Sequence, residues 1–100
     1  MIAIVWQLDA KPNAIAEFER AYGPRGEWAE LFARADGFVA VELQRDTVVA
    51  GRYLVVDRWQ SAADADAFFV RWRREYDALD RRCEALTVHE QPLGRFEPVA

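Results

Sequence analysis

Only one side chain in this sequence has an ordinary pKa near neutral pH. It is His89, the single histidine among 100 residues, and it is therefore the obvious candidate for a general base. His89 falls on a predicted strand in which Val88 and Glu90 lie on the opposite face. If those two face the helices, His89 faces solvent or another chain. Because a lone histidine is a weak signal, a surface or interface histidine is the better-supported interpretation.

A carboxylate also stands in an aromatic setting. Asp57 alternates with Tyr53 and Trp59 on one face of a predicted strand. Burial would push such a carboxyl group toward protonation unless a cation pairs with it. Arg45 or Arg52, across the predicted hairpin, could supply that cation. We therefore expect a structural ion pair at Asp57.

Large aromatic residues make up 13% of the sequence. They could line a flat pocket for an aromatic ligand, since such sites have apolar walls with a few polar groups. They could equally fill a core, and core filling is our interpretation for Phe18, Phe32 and Phe68. For Trp59, Trp72 and Tyr76 both interpretations stay open, because a small helix–sheet domain rarely needs three such large side chains on one seam. The pocket candidates are Tyr53, Trp59, Trp72, Tyr76, Trp6, Asp57, Arg58 and His89; the reacting residues are not assigned.

Composition and charge exclude several classes of protein. The net charge is −4, so a nucleic-acid or anionic membrane partner is not expected. No apolar run is long enough for a membrane span, and the N-terminus lacks the pattern of a signal peptide, so the expected location is cytoplasmic. Cys83 cannot form an internal disulfide and falls on a buried stripe, which predicts an inert thiol. One histidine and one cysteine do not make a metal site.

The chain is organised around residues 52–86. Arg52–Trp59 alternates as a strand does, and Ser61 with Asp64 three positions later forms a variant capping box. After the cap, apolar residues recur at steps of three and four, which predicts one long amphipathic helix. That stripe consists of Ala65, Phe68, Phe69, Trp72, Tyr76, Leu79, Cys83 and Leu86. A stripe of this length needs a sheet on which to pack.

The remaining elements supply that sheet. Residues 2–9 and 38–45 are predicted strands, and two short helices between them are separated by Gly23-Pro24-Arg25-Gly26. Residues 87–97 are extended but contain Pro92 and Gly94, so they are predicted to form an edge or bent strand. The order strand, helix, strand, strand, helix, strand predicts a single α+β domain over residues 1–100. Its expected architecture is ferredoxin-like βαββαβ, a four-stranded antiparallel sheet with helices on one face.

The face of the sheet without helices is also apolar in places. Leu54 and Val56 oppose Tyr53 and Val55 on the third strand, so both faces of that strand need cover. We therefore expect the far face to pack on a second copy of the chain, giving a twofold homodimer.

The sequence resembles the antibiotic biosynthesis monooxygenase (ABM) family within the dimeric α+β barrel superfamily. The similarity covers nearly the whole chain and is carried by the segments EFERAYGPRGEWAELF, DGFVAVELQRD, GRYLVVDRWQS and EYDALDRRCEALTVHEQPLGRFE. This resemblance implies a dimeric α+β barrel. The amino-acid composition, taken separately, suggests a bacterial source. The family contains cofactor-independent oxygenases of phenolic substrates, haem-degrading enzymes and members without known activity.

The resemblance also helps to choose among those activities. Haem-degrading relatives use a histidine and a tryptophan on the second helix and an asparagine on the first strand. This sequence has no histidine between Ser61 and Leu86, has Gln7 but no asparagine on the first strand, and places Trp72 several positions later. Haem degradation is therefore not expected, and no cofactor is implied.

Two functions stay open. The first is a cofactor-independent monooxygenase that binds a small aromatic or phenolic molecule between helices and sheet, holds its ionised form and lets the substrate's own carbanion reduce oxygen. The second is a non-enzymatic ligand-binding or partner-binding protein on the same scaffold. An open cleft of about 300 Å³ or more bordered by Trp59, Trp72 and Tyr76 would favour the first, and a collapsed cleft the second.

Overall fold

The computed structural model describes all 100 residues, which form four strands, four α-helices and one short 3₁₀ helix. The strands and helices follow the predicted order along the chain. They are β1 (Ile2–Ala10), α1 (Ile15–Tyr22), α2 (Glu27–Phe32), β2 (Phe38–Arg45), β3 (Arg52–Trp59), α3 (Ala62–Arg71), α4 (Arg73–Cys83), the 3₁₀ helix (Glu84–Leu86) and β4 (Thr87–Phe96).

The four strands form one antiparallel sheet in the order β2-β3-β1-β4, with the helices on one face. This arrangement confirms the predicted ferredoxin-like α+β fold. β4 is an edge strand, as predicted, and its pairing with β1 shifts register between Val5 and Trp6. Trp6 pairs with Pro92 and Val5 with Gly94, so Leu93 is the extra residue of a β-bulge. The proline thus lies where the strand bends.

The prediction of one unbroken helix after β3 is wrong in one respect. The helix is interrupted at Trp72, whose φ of −106° and ψ of 22° depart from helical values, so α3 and α4 are separate segments. The predicted cap at the start of α3 is confirmed, because the Ser61 hydroxyl accepts a hydrogen bond from the Asp64 backbone N–H at 3.1 Å. The hydrogen bonds from Trp72 N–H to Phe68 and from Tyr76 N–H to Trp72 continue across the interruption, both at 2.8 Å.

The core lies between the sheet and the helices. Trp59, Phe18 and Phe68 are its largest fully buried side chains. The ring of Trp59 lies 5.4 Å from that of Phe68 and 5.7 Å from that of Phe32. Burial of each such ring contributes roughly 2–3 kcal/mol to the free energy of unfolding, before the entropy of ordering the chain is counted.

The far face of the sheet mixes apolar side chains with ion pairs. Val56 is only 7% exposed there, and Leu54 and Val5 are half-buried. Arg58 pairs with Glu42 at 2.7 Å, and Arg52 pairs with Asp9 at 2.9 Å. None of the helices is long and apolar enough to cross a membrane.

Candidate functional site

A half-open cavity of about 140 Å³ lies between the sheet and helices α1, α2 and α4. Seven of its ten lining residues are hydrophobic, whereas at least half of the residues that line the larger surface grooves are polar or charged. The lining residues are Trp6, Leu8, Tyr22, Trp28, Phe32, Val55, Asp57, Tyr76, Asp80 and Glu90. An apolar cleft with a few convergent polar groups is the usual form of a small-molecule site.

Asp57 is the only charged residue of this cavity whose side chain is buried. It lies in the middle of β3, directly opposite Ile4 on β1 and Val41 on β2, so its neighbours in the sheet are apolar. The residue is 7% exposed, and its Oδ1 atom has no hydrogen-bond partner. Burial raises the pKa of this carboxyl group to about 7. Asp57 therefore exchanges a proton near neutral pH.

The expectation that Asp57 forms an ion pair is wrong. Arg52 lies on the other face of β3, where it pairs with Asp9. Arg45 lies opposite Tyr53, near the hairpin end of the sheet, and its guanidinium pairs with Glu19 at 2.7 Å. Arg52 therefore lies on the opposite face of the sheet from Asp57. Arg45 lies farther along the sheet, toward the hairpin, and is already paired.

Two tyrosines and a tryptophan stand beside the carboxylate. Tyr22 ends α1 and Trp28 lies in α2, so the break at residues 23–26 brings both side chains to the cavity. The ring of Trp28 packs 5.9 Å from that of Tyr22 and edge-on to that of Tyr76 at 5.1 Å. Its indole N–H is buried without a hydrogen-bond partner. Burial raises the pKa of Tyr76 to about 12 and that of Tyr22 further still.

Two more carboxylates lie nearer the open side. Asp80 is half-buried on α4, and Glu90 is exposed on β4. Burial raises the pKa of both groups, and the charge of Asp80 adds to the effect at Glu90. No lysine, arginine or histidine lines the cavity. Its charged groups are therefore all acidic.

The structure brings three of the eight candidate residues together at this cavity: Trp6, Asp57 and Tyr76. Tyr53 and Trp59 share the face of β3 with Asp57, but they are buried in the core on either side of it. The Tyr53 hydroxyl donates a hydrogen bond to Glu19 at 2.5 Å, and Trp59 is fully buried among phenylalanine rings. Both side chains support the site without lining it.

The other three candidates lie elsewhere. Trp72 lines a surface groove with its ring under the guanidinium groups of Arg34 and Arg71, at 5.7 and 5.3 Å. Arg58 is on the far face of the sheet, paired with Glu42. His89 is exposed on β4 opposite Asp9, as its alternation with the cavity residue Glu90 indicates.

Sequence reasoning missed the roles of two acidic residues. Asp80 lies one helical turn after Tyr76, and the i, i+4 spacing places both on one side of α4. Glu90 pairs with the cavity residue Leu8 across the sheet, and its alternation with His89 was the signal that could have pointed to it. The cleft is also smaller than the volume of about 300 Å³ that would favour the monooxygenase over the ligand-binding alternative, and it is bordered by Tyr76 without Trp59 or Trp72.

Comparison with family profiles identifies the family of this chain. The profile of the antibiotic biosynthesis monooxygenase family matches residues 1–71. The chain therefore belongs to that family. No curated protein matches.

Solved structures agree in fold at low sequence identity. SnoaB from Streptomyces nogalater, a cofactor-independent oxygenase, has a TM-score of 0.77 at 21% identity, covering 99% of this chain and 93% of that one. A putative antibiotic biosynthesis monooxygenase from Deinococcus radiodurans has a TM-score of 0.77 at 13% identity, covering 100% and 94%. A mutant of MhuD with two manganese protoporphyrin IX molecules per active site has a TM-score of 0.75 at 21% identity, covering 100% and 96%.

The residues of this chain do not fit a haem group. Its one histidine, His89, is exposed on β4 on the opposite side from the cavity residue Glu90. The cavity of about 140 Å³ is far smaller than a porphyrin, and its polar side chains include three carboxylates. A porphyrin ligand such as that of MhuD is therefore not assigned to this chain.

Proposed function

We propose that this protein is a cofactor-independent monooxygenase that oxidises a small, electron-rich phenol. The observation that carries the proposal is the unpaired Asp57 carboxyl group at the inner end of an aromatic cavity. A general base works best when its pKa is close to the operating pH, and burial raises the pKa of Asp57 to about 7. Membership in the monooxygenase family supports the reaction class.

The size of the cavity limits the part of the substrate that it can enclose. An apolar cavity of roughly 150 Å³ holds one benzene ring, whereas drug-sized ligands occupy about 300 Å³ or more. The cavity of about 140 Å³ therefore accepts a single phenolic ring. Any further part of the substrate would extend through the open side, past Asp80 and Glu90.

The chemistry needs no group beyond the substrate, oxygen and one base. Asp57 takes the phenolic proton, and the phenolate passes one electron to O₂, giving a phenoxyl radical and superoxide. These radicals form a C–O bond at a ring carbon that is ortho to the oxygen and carries a hydrogen, and the proton on Asp57 returns to the resulting peroxide. Loss of the C–H proton and cleavage of the O–O bond then give a carbonyl and water. One phenol and one O₂ yield one quinone and one H₂O.

The aromatic walls have a second part in this proposal. Trp6, Trp28 and Tyr76 pack around the inner part of the ring and reduce its contact with water, while the side at Asp80 and Glu90 stays open. Water would hydrate superoxide and let it leave before the C–O bond forms. The cavity thus favours oxygenation over simple one-electron oxidation.

The small volume favours a second candidate function, ligand binding without catalysis. A cavity of about 140 Å³ is below the usual range for small-molecule sites, and the aromatic side chains of the chain itself fill most of the space between helices and sheet. On this alternative the protein holds a small aromatic molecule, and oxygen is not consumed.

We also infer that the protein works as a homodimer. Val56 is nearly buried and Val5 and Leu54 are half-buried on a sheet face that no helix covers. A second copy packed on this face would remove the exposed parts of Val5 and Leu54 from water, whereas Val56 is already almost fully buried. The cavity lies on the opposite side of the sheet and stays accessible.

Oxygen consumption with a panel of electron-rich phenols tests the proposed reaction. We expect uptake of one O₂ per phenol and, with ¹⁸O₂, one labelled atom in the quinone. Asp57→Asn keeps the shape of the side chain but removes the base, so uptake should fall about 100-fold or more while phenol binding persists. Glu42→Gln, on the far face, is the matched control and should keep full activity.

Two results would contradict the proposal. Phenols that bind to the wild-type protein without any oxygen uptake would favour the ligand-binding alternative. Full activity in Asp57→Asn would show that oxygenation occurs but that Asp57 is not the base.

A further inference from the structure

We propose that the cavity selects phenols that carry a protonated amine, with the phenolic hydroxyl at Asp57 and the ammonium group between Asp80 and Glu90. This inference rests on the proposed function and names the substrate class more narrowly. It follows from the charge, aromatic content and depth of the groups that line the cavity.

The charge of the lining is one-sided. Three carboxylates reach the cavity from three different elements: Asp57 from β3, Asp80 from α4 and Glu90 from β4. The chain has 13 lysine and arginine residues, yet none of them lines it. A negatively charged ligand would meet repulsion from each side and no counter-charge. A positively charged ligand would be attracted from each side.

These carboxylates are not arranged for a metal ion. No group of three or more histidine, cysteine, aspartate or glutamate side chains in the chain could hold one. The cation that we propose is therefore organic, an ammonium group attached to a ring, which needs no set of converging metal ligands.

The aromatic walls favour the same kind of ligand. Trp6, Tyr22, Trp28 and Tyr76 present rings to the cavity, and the Trp28 and Tyr76 rings meet edge-on at 5.1 Å. Aromatic rings attract cations through their quadrupole, and aromatic cages are a recurring means of binding organic ammonium ions. The same rings pack against a phenolic ring. The walls thus suit both parts of the proposed ligand.

The depth of the carboxylates sets the orientation. Asp57 is 7% exposed and has an oxygen atom without a partner, so it needs a hydrogen-bond donor at the inner end. Asp80 is half-buried and Glu90 is exposed, which places these two at the open side. A ring with a hydroxyl at one end and an ammonium group at the other matches this order.

The proposed reaction supplies a further reason for the amine. When a phenol gives its proton to Asp57, a phenolate is left in a cavity without any cationic side chain. A phenolate there is costly, because Asp80 and Glu90 repel it and the aromatic walls do not solvate it. An ammonium group on the substrate neutralises that charge. The substrate thus brings the cation that the protein lacks.

Three phenols that differ only in the charge of the para substituent test the proposal. They are 4-(2-aminoethyl)phenol, 4-ethylphenol and 4-hydroxyphenylacetate, which are cationic, neutral and anionic at pH 7.5. Titration calorimetry should give a dissociation constant at least about tenfold lower for the amine than for the neutral phenol. The anionic phenol should bind more weakly than both. Equal affinities, tightest binding of the anion, or no binding of the amine would overturn the proposal.

Variants then assign the selectivity to the two outer carboxylates. The double variant Asp80→Asn and Glu90→Gln should remove the advantage of the amine and leave the affinity for 4-ethylphenol within about twofold. Asp77→Asn, on α4 but outside the cavity lining, is the matched control and should keep the advantage. An advantage that survives the double variant would overturn the assignment.

The same measurements separate this inference from the proposed function. Selective binding of the amine without oxygen uptake would leave the charge preference standing and contradict the monooxygenase reaction. Oxygen uptake without any preference for the amine would support the monooxygenase reaction and contradict the charge preference.

Discussion

Asp57 on β3 and Tyr76 on α4 line the same cavity from opposite layers of the fold. Burial raises the pKa of both groups, to about 7 for Asp57 and about 12 for Tyr76, and the charge of Asp57 adds to the effect at Tyr76. Near pH 7 the cavity therefore holds one group that titrates beside another that stays neutral. Asp57 can therefore accept a proton near pH 7, whereas the Tyr76 hydroxyl remains a hydrogen-bond donor.

The rate of the proposed reaction should rise with pH. Asp57 accepts a proton only when it is ionised, so kcat/KM should increase about tenfold per pH unit below its pKa and level off above about pH 7. Tyr22 and Tyr76 stay neutral throughout this range, and Asp80 and Glu90 act on the profile through their charge. Initial rates of oxygen uptake from pH 5 to 8.5 provide the measurement, and a flat profile would contradict the role of Asp57.

Asp57→Asn should remove a pH dependence of stability. The pKa of Asp57 is about 7 in the folded protein against an ordinary 3.8, so the folded state binds the proton more tightly. Stability from this group is complete below about pH 4 and is lost as pH rises to 7, a loss of roughly 2–4 kcal/mol. Urea unfolding at pH 5 and pH 8 should show a smaller difference for the variant. Equal differences in both proteins would mean that Asp57 is hydrated or paired.

Gly37→Ala should destabilise the protein more than Gly51→Ala. Both glycines have positive φ, 84° and 80°, so an alanine at either position is strained by about 1–2 kcal/mol. At Gly37 a Cβ atom would also overlap the side chain of Asp64 at the start of α3, whereas at Gly51 it would lie 3.4 Å from the carbonyl oxygen of Ala10. We expect a further loss of about 1–3 kcal/mol at Gly37, measured by urea unfolding. Equal losses would show that the start of α3 moves freely.

The far face of the sheet should hold the protein as a dimer. Light scattering during size exclusion should give about twice the chain mass of 11.5 kDa. Val5→Lys puts a charge in the middle of that face, beside its strand partner Val56, and should yield monomers. Val70→Lys is the control, because Val70 is already exposed on α3. A monomeric wild-type protein, or a dimer in Val5→Lys, would contradict the interface.

The sequence by itself determined the order and type of the elements. Alternation specified all four strands, and the run from Gly23 to Gly26 separated α1 from α2, because glycine and proline cannot continue a helix. Ser61 specified where α3 begins, since a cap needs only residues a few positions apart. Each of these features depends on neighbours in the chain, which the sequence displays directly.

Tertiary structure decided which side chains meet. Alternation already placed Asp57 and Arg52 on opposite faces of β3. Only the packing of α1 on the sheet brought Glu19 to Arg45, and with both arginines paired elsewhere Asp57 has no cation. The interruption at Trp72 was likewise invisible in the apolar spacing, as was the placement of Trp72 in a surface groove and of Tyr76 at the cavity. Partners far apart in the chain are chosen by how layers pack, and local patterns do not encode that choice.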